Sequence, residues 1–106
     1  MSALWRRYEV LLPLRFNDGR EVPREWLGEA SAEVAARFGA VSDETHKVAG
    51  HWQRGGMTYR EDLAALYVDV PDTPANRAWM LEFKSRWKSR LEQIELWMVS
   101  FQIEVE

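Results

Sequence analysis

The chain has 106 residues, no cysteine and a formal net charge of −3. That length suits one domain with one core, burying roughly two-thirds of the surface its unfolded chain exposes, and 46% apolar content with 12% aromatic content argues for a packed globule and against disorder. The absence of cysteine excludes disulfides and thiolate metal sites, and the acidic balance argues against a nucleic-acid partner. Met1–Arg7 is not a signal peptide and no apolar run reaches the roughly twenty residues that span a bilayer, so a soluble, cytoplasmic protein without a membrane partner is expected.

Trp5 to Phe16 reads as a strand: Tyr8, Val10, Leu12, Leu14 and Phe16 alternate with Glu9, Leu11, Pro13 and Arg15. Pro13 brings no N–H, so it suggests an unpaired position, as at an edge or a bulge. Asn17-Asp18-Gly19 signals a turn. Pro23 to Phe38 predicts a helix with Leu27, Ala30, Val34 and Phe38 as its buried stripe, Trp26 on the flank and Gly39 at the left-handed position that ends it.

Ala40 to Trp52 and Met57 to Val70 read as two strands joined through Gln53-Arg54-Gly55-Gly56, the glycines supplying a hairpin turn. The polar run Asp43–Lys47 suits a sheet edge, and Arg60-Glu61-Asp62 is expected to bulge or run past the sheet. Thr73 and Pro74 fit the cap and first residue of a second helix. Its apolar residues Met80, Phe83, Trp87, Leu91 and Ile94 recur at helical spacing. A last strand follows, in which Trp97, Val99, Phe101, Ile103 and Val105 alternate with Met98, Ser100, Gln102, Glu104 and Glu106. The apolar set is expected beneath the helices.

The order βαββαβ predicts an α+β, ferredoxin-like sandwich: two helices on one face of a four-stranded antiparallel sheet in the order 4-1-3-2.

Chemistry-bearing patterns are sparse. Glu44, His46 and His51 form the histidine–carboxylate grouping, but His51 points away from the other two in a straight strand, and a joint site would need a bulge such as Gly50 could provide. A solvated edge strand explains these residues without a metal. Asp69, between Val68 and Val70, is the best acid–base candidate, although facing solvent or pairing with Arg15 across the sheet explains it more simply. No nucleophile motif and no phosphate loop is present, and no cofactor is expected. Lys84, Arg86, Lys88 and Arg90 are split between the two flanks of the second helix's buried stripe, and the acidic flank of the first helix can meet one of these basic flanks across the seam. Trp87 and Trp97 read as core, Trp26 and Trp79 as seals of the seam, and Trp5 and Trp52 as partly exposed strand ends.

Val48-Ala49-Gly50-His51-Trp52, the Gly55-Gly56 hairpin, Tyr59-Arg60-Glu61-Asp62 and Phe83-Lys84-Ser85-Arg86-Trp87 together resemble small uncharacterised bacterial domain families. In these a V-x-G-x-W strand precedes a hairpin and a basic aromatic helix follows. The resemblance implies a ferredoxin-like fold and no particular activity.

The sheet face away from the helices carries the functional expectation. Leu11, Pro13, Tyr67 and Met98 are expected at its apolar centre, with Arg15, Asp69, Ser100 and Gln102 around them. Such a face suits a non-catalytic module that forms a homo-oligomer, as a dimer, or meets a protein partner. The alternative is a small enzyme or hydrophobic-ligand binder of the dimeric α/β-barrel type, with Tyr67, Arg15, Asp69 or His46 as polar groups in a cavity between two sheets. RNA stacking on sheet aromatics ranks third, since only Tyr67 is well placed for it.

Overall fold

The structure is a computed structural model that describes the backbone of residues 4–54 and 57–106 and the side chains of residues 4–42 and 62–106. Its elements are β1 (Trp5–Pro13), α1 (Glu25–Phe38), β2 (Ser42–Arg54), β3 (Met57–Pro71), α2 (Pro74–Arg90) and β4 (Met98–Ile103). The strands form one antiparallel sheet in the order β2-β3-β1-β4.

Both helices lie over one face of this sheet, because alternate residues of the central strands point that way. Tyr8, Val10 and Leu12 from β1 and Leu66, Val68 and Val70 from β3 form one cluster with Ala30, Val34, Met80, Phe83 and Trp87 from the helices. The stripe expected for α1 is there, with Ala30 and Val34 fully buried and Leu27 and Phe38 packed at its margin. Gly39 ends α1 at φ 82°, donating its N–H to the Ala35 carbonyl. Thr73 caps α2 by accepting the Asn76 N–H at 3.1 Å.

The first strand ends at Pro13 rather than at Phe16. Beyond it, residues 14–22 turn back on themselves: Phe16 N–H donates to the Arg20 carbonyl, Val22 N–H donates to the Leu14 carbonyl, and Arg15 bridges Glu21. Pro13 sits in a central strand without disrupting it. Leu11 N–H points toward β4 and donates to the Trp97 carbonyl. Two residues on, the missing N–H of Pro13 points the same way, past the point where β4 begins.

Across the helix–helix seam the acidic flank of α1 meets a basic flank of α2. Arg86 pairs with Glu33 at 3.0 Å, Trp87 Nε1 donates to the same carboxylate at 2.6 Å, and Arg90 pairs with Glu29. The Arg90 guanidinium lies 4.0 Å from the Trp26 ring centre and 4.7 Å from that of Trp87. Trp79 stacks on Phe83 and meets Phe38 edge-on, closing the other end of the seam. The cations of α2 are therefore part of its packing.

Two expectations about the C-terminal third are corrected. Helix α2 ends at Arg90, so Ile94 lies outside its stripe and is 73% exposed. Strand β4 is turned over. Its register sets Met98, Ser100 and Gln102 opposite Val10, Tyr8 and Arg6, on the helix side, and Val99, Phe101 and Ile103 opposite Glu9, Arg7 and Trp5, on the open side. Leu96 is the cause: it is 1% exposed, so the next residue, Trp97, must point outward and is 62% exposed. The irregularity in the hairpin is a register shift on β2 between Glu44 and Val48, not at Arg60–Asp62.

Phe83, fully buried between both helices and the sheet, should cost about 3–5 kcal/mol when replaced by alanine, read as a loss in denaturant midpoint. Glu92, just past α2, holds φ 56°, a left-handed conformation that costs a side chain about 1 kcal/mol and glycine nothing. Glu92→Gly should raise the melting temperature, since the exposed Arg20–Glu92 pair that it removes is screened by water.

Candidate functional site

The open face is built in rows by the strand pairings. Trp5 lies between Pro71 and Ile103, Arg7 between Asp69 and Phe101, Glu9 between Tyr67 and Val99, and Leu11 beside Ala65. Among these, Trp5, Leu11, Tyr67, Val99 and Ile103 are half-buried and Phe101 is 44% exposed. The face is thus largely apolar, with a charged patch in the middle of β1.

That patch is ordered. Arg7 holds Asp69 through two hydrogen bonds, Nε to Oδ1 at 2.7 Å and Nη2 to Oδ2 at 3.0 Å, the fork-to-carboxylate geometry that fixes both planes. Its guanidinium also sits 4.9 Å from the Tyr67 ring centre. The hydrogen bonds that Arg7 donates to Asp69, with smaller contributions from the charges of Asp69, Tyr67 and Glu9, raise the Arg7 pKa above its ordinary value against the opposing effect of desolvation. Each side chain of the pair is about one-third exposed, at 34%.

The residues expected on this face divide. Leu11, Tyr67 and Asp69 are on it. Pro13 is on the same side but buried at the end of the strand. Arg15 is not on it: it lies beyond β1, donates to the Gly19 carbonyl at 3.2 Å and pairs with Glu21, so the partner of Asp69 is Arg7, directly across the ladder. Met98, Ser100 and Gln102 occupy the opposite side. Met98 packs against the core, Ser100 accepts a bond from Arg6 at 3.2 Å, and Gln102 donates to Asp72 at 3.2 Å. The strand alternation was legible in the sequence, but which half of it faced outward was not, and Trp97, Val99, Phe101 and Ile103 were missed for that reason. Glu44, His46 and His51 fall outside the described side chains. The break in the β2 ladder lies between Glu44 and Val48, away from Gly50.

A second feature is a cleft of about 500 Å³ at the end of the sandwich, where β1 runs out and α1 begins. Leu12, Val22, Leu27, Trp26, Trp87 and Leu91 contribute its apolar walls, with Arg15, Arg24, Glu21, Glu25 and Asp62 around them. Of the polar groups proposed for an inter-sheet cavity it includes Arg15, while Tyr67 and Asp69 are on the open face. Among the described residues no cluster of three or more metal-ligating side chains occurs, and no helix is long and apolar enough to cross a membrane.

No protein-family model matches the chain and no curated protein matches it. Solved structures do. A phage SAM lyase in complex with S-methyl-5'-thioadenosine superposes with a TM-score of 0.70 at 9% identity, over 99% of this chain and 93% of that one. The divalent ion tolerance protein CutA1 from Ehrlichia chaffeensis gives 0.59 at 4% identity over 100% and 87%, and B. subtilis GlnK with ATP gives 0.57 at 11% over 97% and 84%. At such identities the likeness is one of fold. The chain has a ferredoxin-like α+β fold resembling those of CutA1 and GlnK.

At the edge of the helix-side face, Arg6 Nε lies 3.1 Å from Asp72 Oδ1, a close ion pair though not an aligned hydrogen bond from that nitrogen. The Arg6 guanidinium, and after it Gln102, hold the Asp72 carboxyl below its ordinary value. A carboxylate lowered by folding stabilises the native state above its unfolded pKa, about 4, and loses that effect as the pH falls through its folded value. Asp72→Asn should therefore lower the urea midpoint at pH 7, and the gap from the parent should narrow as the pH drops below about 4.

Proposed function

We propose that this chain is a non-catalytic ferredoxin-like module that self-associates, or meets a protein partner, through the open face of its sheet. The observation that carries the reading is the outward side of β4. Ile103 pairs with Trp5, Phe101 with Arg7, and Val99 with Glu9 in the row that Tyr67 completes; Leu11 lies beside Ala65 on the same face, and Trp97 precedes the strand at 62% exposure. An apolar face interrupted at its middle by an ordered charged pair and Glu9 has the composition of a contact surface rather than of a solvated one. Homo-oligomers are the expected form. Sedimentation velocity on the parent should report association that strengthens with concentration, and Phe101→Glu or Tyr67→Glu should abolish it by burying a charge in the contact. A clean monomer at high concentration, with Tyr67→Glu harmless to every binding activity, would sink the reading.

The cleft favours a second reading, a binder of a small ligand. Its volume of about 500 Å³ falls in the ordinary range for ligand sites, roughly 300–1,000 Å³. Two of the structurally similar proteins hold adenosine derivatives, S-methyl-5'-thioadenosine and ATP. An adenosine compound is the first ligand to try, with its base against the apolar wall of Trp26, Leu27 and Leu91. Calorimetry should detect binding of one of these two compounds, and Leu14→Trp, which fills the cleft, should remove it. No heat at about 1 mM of either would end this reading.

A further inference from the structure

Glu9 is left over by the fold. It is half-buried on the open face between Tyr67 and Val99, and among the described residues it makes no hydrogen bond and no ion pair. Whatever covers this face takes the Glu9 carboxylate out of water, and that is costly unless the occupant supplies a cation at the same spot. The chain carries such a cation two residues away. Arg7 uses Nε and Nη2 on Asp69, which leaves Nη1 and its two N–H groups free.

We propose that the open face docks a second copy of this chain, with the free Nη1 of Arg7 in each copy donating to the Glu9 carboxylate of the other. The inference rests on the reading of this face as a contact surface. Its further content is the identity of the occupant and of the pair that fixes the register. Arg7 and Glu9 are neighbours on the same side of one strand, roughly 7 Å apart along it. Two β1 strands laid antiparallel, face to face, therefore set Arg7 against Glu9 and Glu9 against Arg7, so that one strand is the electrostatic complement of its own copy. Asp69 keeps each Arg7 in place for this contact, and Leu11, Tyr67, Val99 and Phe101 close around it.

Charge exchange between chains tests the proposal. Glu9→Lys sets two cations against each other in a homo-assembly, and Arg7→Glu sets two anions. Each variant alone should associate at least about 10-fold more weakly than the parent by sedimentation, and an equimolar mixture of the two should recover most of the loss as a mixed assembly. Circular dichroism identifies any variant that fails to fold. If Arg7→Glu fails, Glu9→Lys read alone at low and at high salt takes its place, with its deficit shrinking as salt screens the repulsion. If Phe101→Glu dissociates the parent assembly while Glu9→Lys associates like the parent, or if folded single variants are monomeric and their mixture does not recover, this contact is overturned and the face remains an interface. If the parent is monomeric, the reading beneath it falls as well.

Discussion

Leu96 must be buried, and the character of the open face follows from that. Helix α2 delivers the chain to the edge of the sheet with Leu91 and Leu96 both sunk in the core, at 2% and 1% exposure. Between them Glu92 takes a left-handed turn and Lys84 reaches back to Glu95 at 3.0 Å. Once Leu96 is inside, the pleat of the strand leaves no choice: Met98 is inside, and Trp97, Val99 and Phe101 are outside. A shift of one residue in this joint would put the aromatic side of β4 beneath the helices and leave a polar, unremarkable sheet surface.

The same constraint explains what could be read from the sequence. Alternation along β1 as far as Pro13 and along the end of β3, the glycine that ends α1 and the Thr73-Pro74 start of α2 are local signals, and the residues named from them are where the pattern puts them; Leu14, Arg15 and Phe16, named from the same alternation, fall in the turn beyond the strand. That an acidic flank of α1 could meet a basic flank of α2 was also legible, because helix periodicity fixes which charges share a flank; that the pairs are Glu33 with Arg86 and Glu29 with Arg90 came from the packing of the two helices. The orientation of β4 was different in kind. Its two sides are one apolar and one polar, and burial of the apolar side is the ordinary expectation. Here the polar side faces inward because it meets a polar network at that edge: Ser100 accepts from Arg6 Nη1, Gln102 donates to Asp72, and only Met98 of this side reaches the core. The one available signal was Leu96, an apolar residue in the joint whose burial sets the parity of everything after it. Arg7 was missed as the partner of Asp69 for a related reason. Register is a long-range property: by alternation alone Arg7 and Arg15 have the same parity, but β1 ends at Pro13 and only Arg7 lies across the ladder from Asp69.

The cleft and the open face are separate features that share β1. The cleft takes the inward-pointing Leu12 and the turn that follows the strand, whereas the open face takes Arg7, Glu9 and Leu11. The seam between the helices supports the cleft from behind, since Trp26 and Trp87 contribute to its wall while gripping Arg90. A ligand in the cleft would therefore meet rigid aromatic surfaces, and contacts on the open face need not disturb them.

The charges at the middle of the open face decide how readily it can be covered. Burying an ion pair costs least when its hydrogen bonds are already made, and Arg7 and Asp69 are bound to each other through two bonds before any partner arrives. That pair adds geometric precision at little further cost. Glu9 feels the charge of Arg7 but, among the described residues, has no hydrogen bond or ion pair, so most of its desolvation falls on the occupant. An apolar face with an unpaired carboxylate at its centre rejects most apolar surfaces that would otherwise stick to it, because they bring no cation to that point. The feature that makes the face selective is thus the one that the fold itself leaves unsatisfied, set among side chains that would by themselves bind with little discrimination.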